Sequence, residues 1–323
     1  MINIPAISLY LATVMAACQP AIDTGMVEIR AFGDNPGNLD GYYYAPEGLP
    51  EGAPLVVVLH GCVQDAAEIA RLSGWNHLAD AYGFAVLYPQ QKRTNNLNNC
   101  FNWFVPEDIS KGSGEARSIR EMMSYVTGKL ALDSAGACIT GISAGGAMAA
   151  VMLATYPEDF RAGAVMSGIP YAAAADMATG FQAMKGEVTL PAGEWEARVR
   201  RQNEGFTGSY PPLAIFHGVD DPVVNIINAN ELAKQWAALY DIDPETPAEV
   251  ELADGNEQIK KMVFRDSAGA TVLLRYDFGG LGHAIAVDPG EGALQGGAEG
   301  QFARDVDFYS SYWAARFFGL TGE

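Results

Sequence analysis

Between residues 138 and 147 the chain reads Cys138-Ile139-Thr140-Gly141-Ile142-Ser143-Ala144-Gly145-Gly146-Ala147, an apolar strand passing through Gly-x-Ser-x-Gly into a helix rich in Ala and Met. A serine on so sharp a strand-to-helix turn occupies strained backbone, and glycines at 141 and 145 remove the Cβ atoms that would collide where strand and helix close up. Its hydroxyl is thereby held above the edge of a sheet. The helix over 144–156 aims its N-terminal amides and positive dipole end at the space beside that hydroxyl. The arrangement is a nucleophile elbow, which requires a strand before it and a helix after it, and both are present. The competing reading of the same residues is a tight structural turn that buries a serine.

The rest of the chain repeats the strand–helix alternation that this motif needs. Residues 55–60, Leu-Val-Val-Val-Leu-His, form a continuous β-branched run bounded by Pro54 and Gly61, the pattern of a parallel strand buried on both faces. Runs at 84–88, 137–141, 162–167, 213–217 and 272–278 have the same character, and helical segments at 66–82, 115–130, 144–156, 229–239 and 306–318 lie among them. Strands at 26–32 and 42–45 alternate as an antiparallel opening pair, with Asp34-Asn35-Pro36-Gly37 as the turn. The expected fold is α/β, a doubly wound, mostly parallel sheet with helices on both faces, spanning residues 25–320. Residues 170–212 carry no clear strand and read as a lid or as a surface insertion. Residues 279–300 are Gly-rich and irregular.

Composition excludes several partners. With 39 acidic and 20 basic residues the formal net charge is -19, which disfavours nucleic acid and anionic membrane surfaces. Residues 2–17 are apolar and end in Met15-Ala16-Ala17-Cys18, so 1–18 reads as a signal or lipoprotein segment, although no Lys or Arg precedes the apolar run. The expectation is a secreted or lipid-anchored protein, with a lipid on Cys18 as the one route to a membrane. Cys138 belongs to the strand before the elbow. Cys62 and Cys100, both in loops at strand ends, remain as the candidate disulfide.

A serine alcohol needs a base and a carboxylate to orient that base. Of the four histidines, His60 follows the 55–59 strand and suits an oxyanion loop, His77 sits in a helical segment, and His217 ends a strand and braces the loop behind it. His283 follows the last core strand, where hydrolases of this fold carry their base. The acid comes from Asp220 or Asp221, with Asp221 preferred because Pro222 fixes the turn behind it; Asp277 and Asp288 read as solvated loop carboxylates. The amides of Ala144 and Cys62 are the candidate oxyanion donors. Histidine and cysteine spacings carry no metal signature, and no GxGxxG follows a first strand, so no metal, nucleotide or other cofactor is expected.

Together His60-Gly61-Cys62-Val63-Gln64, Tyr88-Pro89-Gln90-Gln91, Cys100-Phe101-Asn102-Trp103-Phe104, the elbow, Tyr156-Pro157 and Gly282-His283 resemble the extracellular short-chain polyhydroxyalkanoate depolymerases, which share a sequence family with carbohydrate-esterase family 1 feruloyl and acetylxylan esterases. The resemblance implies an α/β-hydrolase fold, a triad of Ser143, Asp221 and His283, an oxyanion hole from Cys62 and Ala144, and a Cys62–Cys100 disulfide. It implies further that Trp103 and Gln64 line the substrate cleft, and that the substrate is poly(3-hydroxybutyrate), its oligomers or a related polyester. A feruloyl or acetylxylan ester is the alternative substrate. Phe101 stands where the family usually has Trp, which is expected to reshape the cleft. A noncatalytic binding relative would share this fold, but the intact Ser, Asp and His set argues against it.

Overall fold

The computed structural model describes residues 24–322, so the proposed signal segment and Cys18 lie outside the described residues. Ten strands form one sheet in the order β1-β2-β4-β3-β5-β6-β7-β10-β9-β8. Its centre is parallel: β4 (Ala85–Gln90), β3 (Leu55–Leu59), β5 (Ala137–Ile142), β6 (Phe160–Met166), β7 (Leu213–Gly218) and β10 (Thr271–Phe278). On one side β1 (Val27–Ile29) and β2 (Asp40–Tyr44) continue it antiparallel, and on the other β9 (Ile259–Arg265) and β8 (Glu249–Leu252) do the same. A small pair, β11 (Ile285–Val287) and β12 (Ala303–Asp305), stands apart.

Alternation along the strands feeds two cores. Leu55, Val57 and Leu59 of β3 face one, and Val56 and Val58 face the other, all of them buried. Each such side chain contributes about 1.5–3 kcal/mol relative to exposure, which is why a run without polar residues settles in the middle of the sheet. The first core is closed by α3 (Gly114–Leu130), α4 (Ala144–Thr155) and α7 (Ile227–Leu239), the second by α1 (Ala66–Ser73), α2 (Trp75–Tyr82) and α8 (Ser310–Phe317). Every residue of α4 is buried, as expected of a helix that is apolar on all sides. The doubly wound architecture is therefore the one the sequence implied.

Several local expectations are corrected. The helix at 66–82 is two helices, broken where Gly74 turns left-handed at φ 70°. The last helix begins at Ser310 rather than 306, because 303–305 pairs with β11. The antiparallel β8 and β9, inserted between β7 and β10, are additional. The Gly-rich 279–300 stretch contains β11, and the 170–212 segment folds as α5 (Met177–Met184) and α6 (Ala192–Arg200). Among the described residues no helix is long and apolar enough to cross a membrane.

Candidate active site

Ser143 sits between β5 and α4 at φ 58°, ψ −121°, a region that non-glycine residues occupy only where the surroundings enforce it. The enforcement comes from close backbone packing. A Cβ on Gly145 would lie 2.3 Å from the Leu59 carbonyl oxygen and 2.5 Å from that of His60, and one on Gly141 would lie 2.5 Å from Gly145 backbone atoms. The Ser143 amide donates to the Met166 carbonyl at 2.9 Å, tying the turn to β6. Because Ala144 is the first residue of α4, its N–H has no intrahelical acceptor. Ala144 is buried behind Ser143 and packs in the cluster that holds Trp103.

The carboxylate and imidazole come from two neighbouring loops that follow β7 and β10. A Cβ on Gly218 would meet the Leu281 and Gly282 carbonyl oxygens at 2.2 and 2.5 Å, so a glycine is what lets these loops touch. The Asp221 carboxylate is buried. Its Oδ1 accepts from the amides of Val223 and Val224, both at 2.8 Å, and its Oδ2 pairs with His283 Nδ1 at 2.7 Å. Burial alone would push this carboxyl up, but the His283 bond and charge and the two amides outweigh it and hold it below its ordinary value. An ionised carboxylate only accepts, so Nδ1 carries the proton and Nε2 is left as an acceptor. Asp220, the other candidate acid, is turned away and accepts from Gly280 N at 2.9 Å, so it pins the histidine loop. His217 is buried, pairs through Nε2 with the Val224 carbonyl at 2.8 Å and lies 3.6 Å from Asp221, bracing the loop as expected.

Ser143 and His283 line one cavity of about 470 Å³, with Gly61, Cys62, Val63, Gln64, Cys100 and Trp103 around it. The loop carrying Cys62 is clamped to the Asn-rich loop. A Cys62–Cys100 disulfide joins them, Val63 N donates to Asn98 O at 2.7 Å, and Asn99 Nδ2 donates to Gln64 O at 2.8 Å. The clamp holds Val63 at φ 60°, a costly left-handed conformation for a β-branched residue. Gln64 Oε1 accepts from Gly61 N at 2.8 Å, while its buried Nε2 has no partner among the described residues. Beneath these loops His60 is buried with Nδ1 against Gly61 O and Nε2 accepting from Gln91 N at 3.1 Å. Burial pushes its pKa down to about 4, so it is a neutral strut.

Every residue assigned to the site from sequence therefore lies in or directly against this cavity. Two side readings are corrected. Phe101 is fully buried against His60, with ring centroids 4.9 Å apart, and does not line the cavity. The residue standing where the resemblance expects Trp is therefore packed beneath the loop rather than on the cleft surface. Asp277 is not a loop carboxylate but a strand residue paired with Arg275 at 2.6 Å. Sequence reasoning missed α5, whose Met177, Phe181 and Met184 line the cavity opposite the loops, and it missed Phe104, Val223 and Phe302. The signal was present: Asp176 caps α5 in a box with Thr179, and Met177, Phe181 and Met184 recur at i, i+4 and i+7.

Comparison with known proteins gives the family of the chain. A family model described as Esterase PHB depolymerase matches residues 40–251. The chain is 38% identical to poly(3-hydroxyalkanoate) depolymerase C of Paucimonas lemoignei over 97% of its own length and 75% of that protein's. It is 30% identical to feruloyl esterase B of Talaromyces stipitatus over 86% and 75% respectively. Among solved structures it is similar to the acetyl xylan esterase from Aspergillus awamori, with a TM-score of 0.74 at 28% identity, covering 80% of this chain and 93% of that one. With a family model matching more than half its length and a relative 38% identical over nearly all of it, the chain belongs to the esterase PHB depolymerase family.

Proposed function

We propose that this esterase hydrolyses poly(3-hydroxybutyrate), its oligomers or closely related polyesters through an acyl-enzyme on Ser143. His283 Nε2 takes the hydroxyl proton as Oγ attacks the ester carbonyl, while Asp221 holds the imidazole in the required tautomer and stabilises its cationic form. The amides of Cys62 and Ala144 donate to the tetrahedral oxyanion, and the loss of one such donor costs on the order of 3 kcal/mol. Collapse expels the hydroxyl end of the severed chain, with the proton returned by His283. Water, activated by the same histidine, then releases the acid. Trp103 and Gln64 line the seat of the substrate.

The observation that carries the polyester reading is the apolar mouth of the cavity. Val63, Met177, Phe181 and Val223 line it and are 48%, 61%, 57% and 42% exposed. Surface on that scale serves a chain of ester and methylene groups that offers no strong hydrogen-bond donors. A feruloyl or acetylxylan ester is the second reading, favoured by the likeness to the acetyl xylan esterase and by the Trp103–Phe104 pair, whose rings meet edge to face at 5.4 Å. Support for secretion comes from the disulfide, which persists in oxidising compartments.

The chemistry is tested by intact-mass analysis after exposure to a fluorophosphonate. The expected result is one adduct, mapped to Ser143 and missing from Ser143→Ala. Labelling of another serine, or unchanged hydrolysis of p-nitrophenyl butyrate by Ser143→Ala, contradicts the assignment.

A further inference from the structure

Behind α5, on the side away from Ser143, lies a second groove of about 430 Å³, lined by Ile109, Ala173, Thr179, Arg198, Arg201 and their neighbours. The helix separates the two spaces. Thr179 faces the groove, whereas Met177, Gly180 and Phe181 line the catalytic cavity, and a Cβ on Gly180 would lie 3.5 Å from both Phe104 and Trp103. Arg198 and Arg201 project from one face of α6 and the residue that ends it, three positions apart. Among the described residues neither is within salt-bridge distance of a carboxylate, in a chain where acidic residues outnumber basic ones 39 to 20. Arg198 is nevertheless fixed: its Nη1 donates to the Ala172 carbonyl, and its guanidinium stacks over the Trp195 ring at 5.2 Å. Burial and then the charge of Arg201 weaken its hold on its proton, partly offset by Glu194. Two cations held together with no carboxylate in direct contact, one of them preorganised, make a seat for an anion, and a guanidinium fork matches a carboxylate.

We propose that this groove is a carboxylate subsite, taking the free acid end of an oligomeric hydroxyacid whose body reaches toward the catalytic cavity. The proposal rests on the polyester reading, because hydrolysis of a polyester leaves a carboxylate at the new chain end. A molecule of net charge -19 repels the acid end of such a chain overall, so a local pair of cations is where that end is favoured. An α-helix is roughly 10 Å across, so a ligand spanning both spaces must be an oligomer rather than a monomer.

The test uses Ser143→Ala protein, which cannot consume the ligand, titrated calorimetrically with the tetramer of 3-hydroxybutyrate as free acid and as methyl ester. The expected result is binding of the free acid at least tenfold tighter than the ester, with that difference abolished by adding Arg201→Gln or Arg198→Gln. Among the described residues the Arg201 side chain has no hydrogen-bond partner, and the bond from its backbone amide to the Ala197 carbonyl at 3.2 Å does not involve the guanidinium, so its variant keeps the test meaningful if Arg198→Gln disturbs the α6 packing. Equal binding of acid and ester overturns the subsite while leaving the polyester reading intact, as does an acid preference that survives Arg201→Gln. Displacement of the tetramer acid by inorganic phosphate at equal concentration also overturns it, in favour of an unselective anion site. Binding of neither ligand, together with no hydroxybutyrate released from polymer by the wild type, removes the polyester reading and the subsite with it.

Discussion

The residues at the centre of the site are fixed by their neighbours more than by their own preferences. Ser143 holds a strained backbone because Gly141 and Gly145 allow β3, β5 and α4 to approach within backbone contact. Asp221 has its Oδ1 committed to the amides of Val223 and Val224, which forces Oδ2 onto His283. That commitment makes a sharp prediction for Asp221→Asn. The amide oxygen must stay with the two N–H donors, so the NH₂ group faces Nδ1 and imposes the tautomer that carries its proton on Nε2. We expect kcat on p-nitrophenyl butyrate to fall by about 10³–10⁴-fold with the melting temperature little changed; a loss below tenfold would place the orienting carboxylate elsewhere. The identity of the base was legible because the chain has only four histidines and one follows the last core strand. The choice between Asp220 and Asp221 was less so: Pro222 favoured Asp221, but both share one turn, and it is the folded loop that turns Asp221 toward His283 and Asp220 toward Gly280.

At the level of elements, the elbow and the parallel strands were plain in the sequence because each depends on a local rule: glycine where backbones touch, uninterrupted apolar runs where both faces are buried. The loop clamp and α5 depend on distant partners and were harder to see. Nothing near Val63 announces a left-handed valine, and the helix bearing Phe181 is short and interrupted by Gly180. Glu115 was equally hidden. It reads as an ordinary first-turn acid of α3, yet it is buried, accepting from Asn102 N at 2.8 Å and from Gln91 Nε2, and so supports the loop that bears Cys100. Burial, and then the nearby Asp108, push its carboxyl up to about 8. Between the unfolded value of about 4.3 and that point, the folded chain holds a proton the unfolded chain has lost, so stability falls as pH rises. His60 and His217, whose folded values are pushed down by burial, act in the opposite sense, but only below the ordinary histidine value of 6.5. The urea midpoint should therefore drop between about pH 6.5 and 8 in the wild type, and the drop should vanish in Glu115→Gln. An equal drop in both proteins would mean that Glu115 is ionised in the folded state.

Across the whole molecule, the α/β-hydrolase sheet carries Ser143, Asp221 and His283 on segments that leave the carboxyl ends of β5, β7 and β10, the end at which open parallel sheets gather their sites. The antiparallel extensions at both edges lie outside that constellation. In sequence, β8 was obscured because its alternating Glu249, Val250, Glu251 and Leu252 belong to an exposed edge rather than to a core strand. The strongly acidic composition leaves the cavity mouth as an apolar island formed by Val63, Met177, Phe181 and Val223, and this contrast is what favours the polyester over the other ester classes of the relatives. The decisive measurement is product release, followed by mass spectrometry, from amorphous poly(3-hydroxybutyrate) and from feruloylated or acetylated xylan, with Ser143→Ala as control. Hydroxybutyrate monomer or short oligomers, lost in the variant, is the result this account predicts; ferulate or acetate alone, with the polymer untouched, would contradict it.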